Sequence, residues 1–195
     1  MEDLIKKEYW NNRWIANQKG WDIGYPSPAI VDYLQTYPDK QAKILIPGCG
    51  NAYEASFLLD SGFRNITLLD LSANLIDLLK EKFNPYPEVK LICANYFDIE
   101  DHFDLIIEQT FFCALDPRLR GQYVQKTAEL LKTRGKLIGL LFNRAFEQIG
   151  PPYAGEISYY RQLFQSEFII HQLIPCRNSI PERQGSEVFL EFEKK

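Results

Sequence analysis

An apolar strand, Lys43-Ile44-Leu45-Ile46, runs straight into a Pro47-Gly48-Cys49-Gly50 turn, and no other feature restricts the fold as strongly. A second apolar run, Ile66-Thr67-Leu68-Leu69, stops on Asp70, 20 residues past Gly50. Glycines admit a sharp turn and let a ligand approach backbone that a side chain would cover. An acid at the tip of the neighbouring strand accepts the hydroxyls of a ribose. The pair therefore predicts an adenosine-containing ligand held at strand ends, by Gly48, Gly50 and Asp70. The plainer alternatives are a routine strand-to-helix turn for the glycines and a helix cap for Asp70.

From Lys43 onward apolar strands alternate with helical patterns, the signature of a mostly parallel sheet with helices on both faces. Strands are expected near 43–47, 65–70, 88–93, 103–108 and 136–142, and helices near 52–61, 72–83 and 118–133. Ser72 is placed to cap the second helix, and Gly135 to stop the third. The tail then changes character. Residues 168–174 and 187–192 read as two strands joined by a turn-rich loop, an antiparallel hairpin on the sheet edge. A dinucleotide-binding dehydrogenase would more often keep the parallel alternation.

The chain of 195 residues is expected to form one domain, 1–195, and 46% of it is aliphatic or aromatic, as suits a globular core. No stretch offers about 18 consecutive apolar residues, so no membrane span is expected. The opening Met1-Glu2-Asp3-Leu4-Ile5-Lys6-Lys7-Glu8 lacks the pattern of a signal peptide. A net charge of −4 argues against nucleic acid as a partner. Cys49, Cys93, Cys113 and Cys176 are scattered, with no C-x-x-C pair, and read as reduced core or site-lining thiols. A cytoplasmic protein, a monomer or weak homodimer, is the expectation.

A full G-x-G-x-x-G would put glycine at position 53, where this chain has Tyr53. That departure weakens a diphosphate-binding reading and favours a phosphate-free cofactor such as an adenosyl sulfonium. All three tryptophans, Trp10, Trp14 and Trp21, lie in the first 36 residues. Trp10 and Trp14 share one face of a helix. They read either as a helix docked on the core or as a lid, 1–36, whose rings face a cation. Past the third strand, Asn95, Tyr96 and Phe97 fall where an adenine would be flanked. At the end of the fourth, Gln109 is placed to reach the cofactor, while Phe111 and Phe112 would wall an acceptor pocket that Gly150-Pro151-Pro152-Tyr153 closes. His102 and His171 stand apart, with no triad or metal-ligand neighbours. No catalytic base and no metal site is expected. An anionic nucleophile needs neither.

Several motifs in order, Tyr9-Trp10-Asn11-Asn12-Arg13-Trp14, Gly20-Trp21-Asp22-Ile23-Gly24, Ile46-Pro47-Gly48-Cys49-Gly50, Phe111-Phe112-Cys113-Ala114 with Asp116-Pro117, Gly150-Pro151-Pro152-Tyr153 and Asn178-Ser179-Ile180-Pro181-Glu182-Arg183-Gln184-Gly185, resemble the thiopurine S-methyltransferase family, and within it the plant halide and thiol methyltransferases. The resemblance implies a class I, Rossmann-like S-adenosylmethionine-dependent fold, with a seven-stranded sheet ending in an antiparallel hairpin. It implies methyl transfer to a small soft nucleophile: a thiol, thiocyanate, hydrosulfide or halide. Other small O, N or Se acceptors, or cofactor binding without catalysis, are the alternatives. By position, Trp10, Trp14 and Trp21 would cover S-adenosyl-L-methionine, Gly48 would lie beside its methionine portion, Asp70 would hold its ribose, Asn95 and Tyr96 would neighbour its adenine, and Gln109 would take the strand-four position. Tyr153 would face the acceptor. Family members often carry an acid or serine in place of Asn95 and an arginine or tyrosine in place of Gln109.

Overall fold

In the computed structural model, which describes residues 7–144, 146–147 and 150–195, a seven-stranded sheet runs in the order β3-β2-β1-β4-β5-β7-β6. The strands are β1 (Ile44–Pro47), β2 (Ile66–Asp70), β3 (Val89–Cys93), β4 (Phe103–Gln109), β5 (Leu131–Phe142), β6 (Phe168–Pro175) and β7 (Glu187–Lys194). β1 to β5 are parallel, and β7 lies antiparallel between β5 and β6. The helices are α1 (Lys7–Ile15), α2 (Pro28–Thr36), α3 (Tyr53–Asp60), α4 (Ala73–Phe83), α5 (Arg120–Leu130) and α6 (Ile157–Phe164).

Two cores sandwich the sheet, and the period-two alternation of strand side chains decides which residue joins which. Ile44, Ile46, Leu105 and Ile107 pack beneath α2, α3 and α4, while Leu45 and Ile106 face α5 and α6 through Tyr123, Val124, Tyr160 and Phe164. β1 is therefore apolar throughout, and β2 and β4 largely so, because both of their faces are covered. The chain enters the sheet at β1, moves outward to β3, and returns to β4 on the other side of β1. Connections thus diverge between β1 and β4, and a crevice opens beyond their carboxyl ends.

Three expectations need correction. The helix expected over 118–133 is α5, which ends at Leu130, and β5 begins at once with Leu131 paired to Phe103. The register then shifts before Leu105 meets Lys136, and Arg134 takes φ 62 in the bulge. Gly135 lies in that bulge rather than at a helix end, and a Cβ there would sit 2.9 Å from the Lys132 carbonyl. Burial of Leu131 beside Phe103 outweighs the helical period of this stretch. Second, the segment 1–36 is not one lid. α2 buries Ala29, Ile30 and Leu34, so it is a layer helix, and residues 1–6 lie outside the described residues. Third, Cys93 is exposed, since β3 is an edge strand paired only with β2. Helix α6 falls outside the expected elements, although Tyr160 and Phe164, four apart and fully buried, carry its period.

Candidate functional site

The glycine turn sits at the divergence point. Gly48 and Gly50 have φ of 58° and 51°, in the left-handed region that glycine enters freely. A Cβ on Gly48 would stand 2.5 Å from Cδ2 of Phe111, and one on Gly50 would stand 3.9 Å from Cζ2 of Trp14. Bare backbone is therefore needed at Gly48 against Phe111, while at Gly50 Trp14 stands at ordinary contact distance and the backbone angle alone favours glycine. Asp70 ends β2 alongside, half-buried, and its Oδ1 accepts the N–H of Ser72 at 2.9 Å. Burial pushes its carboxyl above the ordinary aspartate value, opposed by the N–H groups of Ser72, Gly50 and Leu71. Ser72 caps α4, its oxygen accepting the Leu75 N–H at 3.3 Å, as expected from the sequence.

These groups line one cleft of about 640 Å³, a size typical of small-molecule sites. Leu71, Ala94, Asn95, Tyr96 and Phe97 border it on the β2–β3 side. Asn95 turns its Oδ1 to the Phe97 N–H at 3.2 Å. The Tyr96 hydroxyl is committed to Thr127 at 2.7 Å, so only its ring edge serves the cleft. Across the mouth lie Trp10, Trp14 and Trp21, with Trp21 edge-on to the other two at 5.4 and 6.1 Å. Three sets of contacts hold this lid. Ser72 donates its hydroxyl to Asn11 Oδ1 at 3.0 Å. Asp22 Oδ2 accepts from the Asn51 amide and the Tyr53 hydroxyl, and Arg183 donates to the Trp21 carbonyl at 2.7 Å. The absent third glycine is thus a tyrosine that ties the lid to α3.

The far end of the cleft is walled by Phe111, Cys113, Ala114, Leu115, Phe142, Phe146 and Tyr153, with Arg144 and Arg183 at its edge. Burial and the neighbouring Glu108 push the Cys113 thiol up, so it stays protonated at neutral pH and is no nucleophile. Two expected residues stand elsewhere. Phe112 is fully buried in the core against Tyr123, Tyr160 and Phe164. The Gln109 side chain does not line the cleft. Successive residues on a strand point to opposite faces, and a tight turn after β4 with Thr110 at φ 58° redirects the chain. Arg13, Thr110 and Arg183 also line the cleft and Glu108 stands behind it, none of them singled out by a sequence pattern of its own save Glu108. A signal existed for Glu108, which follows the apolar run Leu105-Ile106-Ile107 in a strand covered on both faces.

The geometry fits S-adenosylmethionine: an acid at the β2 tip, a glycine cradle that a Cβ would fill, and aromatic rings over the mouth. The comparisons agree. Residues 5–191 match the thiopurine S-methyltransferase (TPMT) family. A probable thiol methyltransferase 2 of Arabidopsis thaliana is 31% identical over 191 residues, covering 95% of this chain and 84% of that protein. Thiocyanate methyltransferase 1 of the same plant is 28% identical over 200 residues, covering 100% of this chain and 88% of its own. Among solved structures, the 1,6-didemethyltoxoflavin-N1-methyltransferase of Burkholderia thailandensis with bound S-adenosylhomocysteine superposes with TM-score 0.79 at 14% identity, covering 97% of this chain and 87% of that one. That likeness establishes the class I methyltransferase fold. This chain belongs to the thiopurine S-methyltransferase family and is an S-adenosylmethionine-dependent methyltransferase.

Proposed function

We propose that the enzyme methylates a small soft nucleophile, a thiol or an anion such as thiocyanate, hydrosulfide or halide. The observation that carries the reading is the far end of the cleft, where Phe111, Phe142, Phe146 and Tyr153 form an aromatic wall edged by two guanidinium groups. Such a wall strips water from a polarisable anion, and Arg144 draws it in, Arg183 being paired with Glu187 and the Trp21 carbonyl. Relatives named for thiol and thiocyanate methylation support the same acceptor class.

When bound, S-adenosylmethionine supplies an electrophilic methyl group on a cationic sulfur. The chain's residues then have separable roles. Asp70 accepts the ribose hydroxyls, and Asn95 with the ring of Tyr96 borders the adenine. Gly48 and Gly50 leave backbone free beside the amino-acid portion. Trp10, Trp14 and Trp21 cover the mouth, where aromatic faces stabilise a cation by roughly 0.5–2 kcal/mol. The opposite wall, led by Phe111 and Tyr153, holds the acceptor in line, and alignment of that quality can supply about 7 kcal/mol or more of the barrier reduction. Gln109 and Phe112 are left out of the site. No proton need be removed from an acceptor that arrives as an anion.

Incubation of the pure protein with methyl-labelled S-adenosylmethionine and a panel of thiols, thiocyanate and halides tests the reading. Label should pass to at least one. If label passes only to O, N or Se acceptors, the substrate class is wrong. S-adenosylhomocysteine binding without transfer to anything would make the chain a cofactor-binding protein. The four free cysteines further fit a reducing cytoplasm, and a cleft built from one chain fits a monomer or weak homodimer. Fractionation and sedimentation velocity check these two points.

A further inference from the structure

Glu108 lies in the central strand β4, fully buried. Its Oε1 accepts the backbone N–H groups of Phe111 at 2.8 Å and Phe112 at 2.9 Å, and its Oε2 accepts the Tyr123 hydroxyl at 2.9 Å. Opposite it in register on β5 is Gly139, where a Cβ would stand 1.9 Å from the Glu108 carbonyl oxygen and 2.7 Å from its Cβ. The two strands thus approach too closely at this register for any side chain on Gly139. What Glu108 holds is the turn after β4, in which Thr110 takes φ 58° without being glycine. Such backbone persists only where its surroundings over-determine it. Phe111, the first residue held, lays its ring over Gly48 and against Tyr96, 5.2 Å away.

We propose that Glu108 is a positioning residue for methyl transfer: its ionised carboxylate fixes Phe111 between the glycine cradle and the acceptor wall. The proposal rests on the methyl-transfer reading above. Facing Glu108 are Tyr123 from α5, Cys113 from the turn after β4 and Tyr96 from the turn after β3. Burial raises all three, so they stay neutral, and Arg120 and Arg183 act on Cys113. From β5 the neighbour is the uncharged Gly139. Burial pushes Glu108 itself up to about 7, against its three donors, so it titrates within the working range. Protonation removes the charge that strengthens the N–H bonds and turns one oxygen into a donor, which leaves the Tyr123 hydroxyl without its acceptor. The hold on Phe111 then slackens.

The test uses thiocyanate or iodide, acceptors that stay anionic from about pH 5 to about pH 9, so any acid limb belongs to the enzyme. In the wild type, kcat/KM for the acceptor should fall roughly tenfold below a midpoint near 7, and S-adenosylhomocysteine affinity by calorimetry should fall several-fold over the same range. Glu108→Gln keeps the shape and should flatten both limbs at a lower plateau. Tyr123→Phe removes a donor to the ionised form and should move both midpoints to higher pH. A merely structural role would move neither midpoint. Flat wild-type profiles, or an acid limb that survives Glu108→Gln, overturn the proposal. An affinity limb that behaves as described while no acceptor is methylated upholds Glu108 and sinks the acceptor reading instead.

Discussion

Gly48 shows how one missing carbon sets up a site. Its φ of 58° and the 2.5 Å approach of Phe111 mean that alanine would suffer twice, in the backbone and against the ring. Gly48→Ala should weaken S-adenosylhomocysteine binding about tenfold and destabilise the fold by about 1–3 kcal/mol, read by calorimetry and thermal melting. Unchanged affinity would show that the cofactor does not approach this turn. Asp70 carries the opposite balance. Burial raises its carboxyl, so ionising it costs stability, while its charge strengthens a hydrogen bond to a ribose hydroxyl. Asp70→Asn should cut cofactor affinity tenfold or more, by roughly 1.5–3 kcal/mol, and leave the melting temperature level or higher. Loss of stability together with affinity would favour the helix-cap role over ribose binding. The placement of both at strand ends was legible in the sequence, because an apolar run that breaks on a glycine or an acid marks where a strand stops. Phe112 was not, since one residue of turn geometry separates a wall from a core.

Among the α-helices, α1 stands out because none of its residues is fully buried. It is held by Trp14, partly buried against the core, and by rim contacts, Asn11 to Ser72 and, just past the helix, Asp22 to Asn51 and Tyr53 and Trp21 to Arg183. Segments held this way open before the core does. Asp22→Ala should speed amide hydrogen exchange over residues 7–24 and raise the S-adenosylhomocysteine dissociation constant a few-fold, with little change in melting temperature. A uniform loss of protection across β1 and β4 would show that Asp22 supports the core instead. The tryptophan spacing made a covering helix readable. Its extent was not, because only packing separates α1, which lies on the rim, from α2, whose Ile30 and Leu34 are fully buried. The α5–β5 boundary was hidden for the same reason. Leu130, Leu131 and Lys132 continue a helical pattern, and contact with Phe103 decides otherwise.

Taken as a whole, the molecule balances two sets of carboxylates. Burial works against Asp101, Asp104 and Glu191, yet Lys43, Lys132 and Lys136 hold them below the ordinary range. Their contribution is present at neutral pH and lost as pH falls through the carboxylate range. Burial raises Glu54 and Glu108, so their contribution is full at low pH and lost as pH rises through the raised values, about 7 for Glu108. Melting temperature should therefore peak between about pH 5 and 7. A steady rise to pH 9 would contradict it. The sequence by itself determined the alternation of strands and helices, the terminal hairpin, the glycine turn with its acid, and the tryptophan cover, because each is a local pattern with a local cause. Tertiary structure alone decided that β7 slots between β5 and β6, that Tyr53 latches the lid, and that Glu108 holds Phe111 over Gly48. Those outcomes join residues far apart in the chain, and only the packed sheet brings their side chains within bonding distance.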